Sequence, residues 1–450
     1  MKNRLVLPVV LVMFGAVVLV AATATAADKP EQDVSALIKA LSERLEAQDK
    51  KISTLESKLT DEALQNARHE EIARIMSEMR QDASKRDALP QWLDNLTFFG
   101  DLRLRYEHRS SDGIQLRERN RYQFRLRFGF IKSWLDDQMK VGFRLASGDN
   151  NTVFGRNTDQ TFTGGFNKKD LWIDQVYAVY SPKAIPGLTV IGGKIPNILE
   201  HTDLMFDSDL NPEGFALAYH REVCGIDVFG NFAHIVVNEV NQQNAAGTVG
   251  HDTILNVYQA GFRSPLPGGM NATIAATWYD FENYEDAFQW AAANIAGAGG
   301  VVNGWNRDMK IMNVLAKVKF KACGLPWQVY ADWAHNTQDN DETADFENAD
   351  DGYAVGVKVG KNKKQGDWSA GYQYKYIEFN ATPAILNDMD FTTDGPGLGA
   401  TTNVKGHVFK VAYNLTDFLT AGGNVFLVQP ITGDRDENNF IMQFDLIWKF

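Results

Sequence analysis

Residues 119–130 read RNRYQFRLRFGF, and their alternation decides the fold. Tyr122, Phe124, Leu126, Phe128 and Phe130 fall on one face of an extended chain, Arg121, Gln123, Arg125 and Arg127 on the other, because successive side chains of a strand point to opposite sides. LRLRYE, 102–107, repeats the pattern: Leu102, Leu104 and Tyr106 alternate with Arg103, Arg105 and Glu107. Unpaired cations in a protein core cost several kcal/mol each, so one face of these strands must be wet. The alternating segments run roughly 10 to 14 residues, longer than an average globular strand and long enough to cross a bilayer when tilted. Aromatic residues gather at their ends, as an interfacial girdle requires.

Extended along the chain, this period of two predicts sixteen strands: 98–107, 119–132, 138–147, 171–181, 187–195, 213–221, 223–235, 255–264, 270–281, 309–321, 326–336, 352–361, 367–379, 403–414, 418–428 and 438–450. The connections alternate short and long. SWLDD, SPKAIPG, HRE, PLPGG, ACGLP, KNKKQG and LTD are turns; 108–118, 148–170, 196–212, 236–254, 282–308, 337–351, 380–402 and 429–437 are loops. Short turns on one side and long loops on the other describe an all-β, 16-stranded antiparallel outer-membrane barrel, 96–450. Sixteen strands leave a lumen for water and solutes.

The first ninety residues differ. Lys2 and Arg4, the apolar run Leu5–Val20 and the small residues of ATATAA read as a signal peptide, 1–27. Residues 28–88 contain no Gly and carry two interleaved heptad series, Val34, Leu41, Gln48, Leu55 and Ile38, Leu45, Ile52, Leu59. Spaced by seven, Ile38, Leu41, Leu45, Ile52, Leu55 and Leu59 are the core of an expected periplasmic α-helical coiled coil, and hence of a homotrimer. After 27 no apolar run reaches 18 residues, so no helix of the mature chain spans a membrane.

The net charge of −12 excludes a nucleic-acid partner, whose phosphates it repels. The two cysteines, Cys224 and Cys323, fall in turns four strands apart, about 20 Å at normal strand spacing, too far for a disulfide. No Ser sits in G-x-S-x-G and no His in H-E-x-x-H, and DSDLNPEG lacks the spacing of a calcium loop. Neither an enzyme nor a metal or cofactor site is expected.

The last strand, NNFIMQFDLIWKF, places Met442, Phe444, Leu446, Trp448 and Phe450 on one face. Phe444, Leu446, Trp448 and the terminal Phe450 resemble the signal that the barrel-insertion machinery reads. Together LRLRYE, the 119–130 ladder, DQVYAVYSP, GGKIPN and DSDLNPEGFAL resemble the Putative porin family of outer-membrane proteins over about 95–450, with a weaker likeness to phosphate-selective porins. The resemblance implies a pore in the cell outer membrane, in contact with its lipid.

Parity then assigns a basic wall to the lumen of the first three strands: Arg103, Arg105, Arg119, Arg121, Arg125, Arg127, Lys140 and Arg144. The third long loop, PNILEHTDLMFDSDLNP, supplies Glu200, Asp203, Asp207 and Asp209. Folded inward, these acids would face the wall across a constriction and set ion preference through a transverse field. The expected function is passive diffusion of ions and small hydrophilic solutes, with anions favoured. The alternative is a structural anchor whose coiled coil grips peptidoglycan.

Overall fold

The computed structural model describes residues 93–111, 118–148, 158–239, 251–284, 309–338, 348–384, 386–393, 401–432 and 438–450, with 43 and 46–48. The chain divides into two units, 1–91 and 92–450. In the first unit the four described residues are helical and exposed. The expected signal peptide and the coiled-coil core of Ile38, Leu41, Leu45, Ile52, Leu55 and Leu59 lie outside the described residues.

The second unit is a closed antiparallel barrel. Its strands are β1 Leu96–Ser111, β2 Arg119–Trp134, β3 Met139–Ser147, β4 Gln160–Thr161, β5 Leu171–Tyr180, β6 Leu188–Lys194, β7 Glu213–Val223, β8 Ile226–Asn238, β9 Thr253–Leu266, β10 Met270–Glu282, β11 Lys310–Ala322, β12 Leu325–Asn336, β13 Asp351–Gly360, β14 Trp368–Ile377, β15 Val404–Asn414, β16 Leu419–Pro430 and β17 Asn439–Lys449. Sixteen of them form the ring, each paired to its neighbours, and β1 closes on β17 from Asp101↔Lys449 to Ser111↔Asn439. The seam is tight where the chain ends: Gly100 and Phe450 exchange backbone hydrogen bonds, and a Cβ on Gly100 would meet the Phe450 ring at 2.5 Å.

The two-residue β4 is an addition to the expected ring. The ladder of β3 on β2 stops at Arg127↔Ala146, and further on in sequence Gln160 pairs with Phe124 and Thr161 with Gln123. Alternation cannot reveal a strand of two residues.

Outward positions are apolar and exposed, as on Phe98, Tyr122 and Phe444; a belt of this extent suits lipid. Two turns, Cys224–Gly225 and Cys323–Gly324, have both residues at positive φ (52° and 80°, 52° and 76°), the type I′ form that matches strand twist. Both thiols are free and exposed there.

The inner face departs from the expectation that it is wet throughout. At the loop end, Leu255, Val257, Tyr279, Ile311, Val404 and Ile441 point inward and are buried. They are covered by Leu204, Met205 and Phe206 from loop 195–212 and by Leu386 and Phe391 from the connection between β14 and β15. Each such side chain stabilises the infolded loops by about 1.5–3 kcal/mol. The barrel thus has a hydrophobic core inside its loop-end half, and a second infolded segment that alternation places outside.

Candidate functional site

Below that core lies a cavity of about 680 Å³. Its walls come from the turn-side halves of β11–β17 and from β1 and β2; its ceiling is the polar side of the two infolded loops. Arg103, Arg105, Arg125, Lys317, Lys358 and Lys410 meet Asp159, Asp203, Asp207, Asp209, Asp388, Asp390 and Asp445 around it.

The wall on β1 and β2 is dense in arginine because odd-numbered residues of both strands face inward in register, Arg103 opposite Arg125 and Glu107 opposite Arg121. These arginines do not stand bare before the lumen. Arg105 holds Asp445 of β17 through Nε at 2.7 Å and Nη2 at 2.9 Å. Arg125 and Arg127 share Asp101, at 2.9 and 2.7 Å, and Arg121 binds Glu107 at 2.6 Å. The acids interleaved with the arginines are therefore the wall's own counter-charges. Three members lie elsewhere. Lys140 is in the turn region, 3.4 Å from Asp137. Arg119 sits at the loop end, in register with Arg109. Arg144 turns to Asp174, at 2.5 Å. Of the eight, Arg103, Arg105 and Arg125 line the cavity.

Loop 195–212 crosses the lumen, but its four acids do not face one wall. Glu200 bridges Arg263 of β9 and Lys317 of β11, at 2.7 and 3.1 Å, while its backbone exchanges hydrogen bonds with the Gln259 amide. Thr202 donates to Asp332 of β12 at 2.5 Å. Asp203 accepts from Gln373 and lies 3.7 and 3.8 Å from Lys375 and Lys410 of β14 and β15. Asp209 alone turns to the expected wall, 3.7 Å from Arg125 and 3.9 Å from Arg127. The loop is a strut tied to several sectors, in place of a charged edge facing one of them.

Asp207 points to the second infolded segment. Its backbone N–H donates to the Leu386 carbonyl at 2.7 Å. Burial, then the nearby Asp388 and Asp209 carboxylates, push its pKa up to about 8. Asp207 therefore carries little charge at neutral pH. Asp203 goes the other way: burial would raise it, but Lys375 and Lys410 outweigh burial and hold it low. Lys375 is fully buried, with Asp203 at 3.7 Å, Asp388 at 3.6 Å and the Phe391 ring centroid at 4.1 Å. It is the cation that both infolded loops share. Asp390 of the second loop accepts from Gln443 at 2.9 Å and lies 3.6 Å from Arg105; burial would raise its carboxyl, and Arg105 with Gln443 brings it below the usual range.

Arg263, Lys317, Lys375 and Lys410 lie on strands whose parity is as readable as that of the first three, and carrying it past the third strand would find them. Asp388 and Asp390 have no such signal, nor does Asp159, hidden behind β4. Among the described residues no group of three or more His, Cys, Asp or Glu is arranged to hold a metal ion.

Among solved structures, a mutant of the Rh. blastica porin is similar at 12% identity over 79% of this chain and 100% of that chain, TM-score 0.43. A structure described as asymmetric conductivity of engineered proteins matches at 12% identity and the same coverage, TM-score 0.44. No curated protein matches in sequence. The family model described as Putative porin matches residues 114–309 and 308–450, and with most of the barrel so covered, the chain belongs to that family of channel-forming outer-membrane porins.

Proposed function

We propose that this barrel is a diffusion channel for ions and small hydrophilic solutes, with its selective region at the charged cavity under the two infolded loops. The observation that carries the reading is a polar, two-signed cavity inside a barrel whose outer belt is apolar. Preorganised charges lining a confined passage select ions by sign and orient polar solutes. The six cations and seven acids around the cavity nearly balance, and the arginines are paired, so neither sign of ion is strongly preferred. The field runs between basic walls and an acidic ceiling, in place of the wall-to-wall field that the sequence suggests. Residues 28–88 serve as a periplasmic coiled coil that joins three copies, on the strength of their heptads, and Phe444, Leu446, Trp448 and Phe450 serve as the insertion signal.

The test is single-channel conductance of the refolded protein in a planar bilayer under a salt gradient. Steady conductance with a small reversal potential is expected. A folded barrel that passes no current would overturn the reading.

A further inference from the structure

Arg103 and Arg105 stand two residues apart on β1 and both face the cavity. Together they grip one carboxylate. Arg103 donates to both oxygens of Asp159, through Nε at 3.1 Å and Nη2 at 2.5 Å. Arg105 adds Nη1 to Asp159 Oδ2 at 3.0 Å. Three charge-assisted bonds from two guanidinium groups, one of them used as a fork, is the geometry that recognises a planar carboxylate.

The two sides of this contact are held very differently. β1 is paired along most of its length on both sides, to β17 and to β2. Arg105 is fixed further by the fork of Asp445, so its remaining Nη1 keeps its direction whatever occupies the site. Arg103 lies in register with Arg125, a like charge that favours a bound anion between wall and cavity. Asp159, in contrast, sits one residue before β4, which joins β2 through two register pairs. Its neighbour Thr158 is held by the Ser147 hydroxyl, which donates to its carbonyl, and by donating to Asp209, both at 2.9 Å.

We propose that Arg103 and Arg105 form a carboxylate-binding site of the channel, which Asp159 fills in this structure and for which a small carboxylate-bearing solute entering the cavity competes. The proposal rests on the porin reading for the solute's access. The site binds by its two-oxygen geometry, so a carboxylate displaces Asp159 better than tetrahedral phosphate does, and spherical chloride does not engage the fork.

The probes are acetate, inorganic phosphate and chloride, applied to the refolded full chain in two measurements: chloride-carried current across a planar bilayer, and acetate binding by titration calorimetry. Acetate is expected to reduce the current saturably and to bind. Asp159→Asn removes the competing carboxylate and should lower the half-blocking acetate concentration about tenfold. Arg103→Lys keeps the charge and loses the fork; it should raise that concentration about tenfold. Folding of each variant is checked by heat-modifiable mobility on a gel; if Asp159→Asn fails there, Arg103→Lys against the native chain decides. An unchanged half-block in the variants, or phosphate blocking as well as acetate, overturns the site. Steady current with no acetate binding defeats this inference and spares the porin reading; acetate binding to a folded barrel without current does the reverse.

Discussion

The two charged walls of the cavity keep their cations in place by different means. On β1 and β2 the compensating acids belong to the wall itself: Asp101 for Arg125 and Arg127, Glu107 for Arg121, Asp445 of β17 for Arg105. On β9, β11, β14 and β15 the acids come chiefly from loops: Glu200 for Arg263 and Lys317, Asp203 and Asp388 for Lys375, Asp203 for Lys410. One wall carries counter-charges of its own, to which Asp159, Asp209 and Asp390 only add. The other is completed by them, so there the position of the loops and the charge of the wall depend on each other. A buried charge that loses its partner is far costlier than an exposed one, so substitutions on the loop-completed wall should do the most damage.

The largest effect is expected from Lys375→Met. It strips the cation shared by Asp203 and Asp388 from a fully buried position, and breaking a buried pair costs about 3–5 kcal/mol. Arg127→Gln on the other wall leaves Asp101 with Arg125 and should cost far less. Unfolding of both variants, followed by gel mobility against temperature, checks this; equal losses would erase the distinction between the walls.

Next comes the apolar side of the same loop. Leu204 is fully buried in the core inside the barrel, so Leu204→Ala should cost about 2–5 kcal/mol. It should also make single-channel current noisier, because the core holds the ceiling. A quiet channel of native stability would mean that the ion pairs alone hold the loop.

A smaller effect tests the contact between loops. The pKa of Asp207 is raised to about 8, by burial first and then by Asp388 and Asp209. A raised carboxyl favours the folded state while it is protonated; that contribution is full below the ordinary aspartate range and is lost as pH rises through about 8. Stability should therefore fall from about pH 4 to about pH 8, and cation preference grow as pH rises through about 8. Asp207→Asn should flatten both trends, read as melting temperature and reversal potential across that range. The groups around Asp207 are Asp388 and Asp390 from the second loop, Asp209 from its own, and Lys410 from β15. If the variant keeps the native pH trend, one of these is the titrating group.

Legibility in the sequence divides along the same line. Period-two alternation carries the ring, because every strand that faces lipid on one side must repeat it; it fixes the face of Arg103 and Arg125 but not their register, which the structure supplies. It fails where the rule stops applying. Inside the loop-end half the inner face is apolar as well, so Leu255, Val257 and Ile311 look like any buried strand. The segment NDMDF, 387–391, reads as an ordinary polar loop, since nothing in its composition says that Phe391 covers Lys375. Loop 196–212 gives itself away by its acids, but sequence cannot distribute four carboxylates among several strands. Their partners lie from 51 residues away along the chain, for Thr158 and Asp209, to 207, for Lys410 and Asp203, and only closure of the barrel brings them together.

The smallest predicted effect separates the cavity from the rest of the basic series. Lys140 belongs to the same parity series as Arg103 and Arg125, yet it sits by the β2–β3 turn, 3.4 Å from Asp137, with both side chains substantially exposed. Such surface pairs contribute little and are screened by salt. Lys140→Gln should therefore leave thermal stability, conductance and reversal potential unchanged, whereas Arg125→Gln, which also leaves Asp209 of the loop with one cation fewer, should shift the reversal potential towards cations. If Lys140→Gln shifted it as far, charge at the turn-end mouth would control selectivity, and the cavity under the two loops would lose its claim to be the selective region.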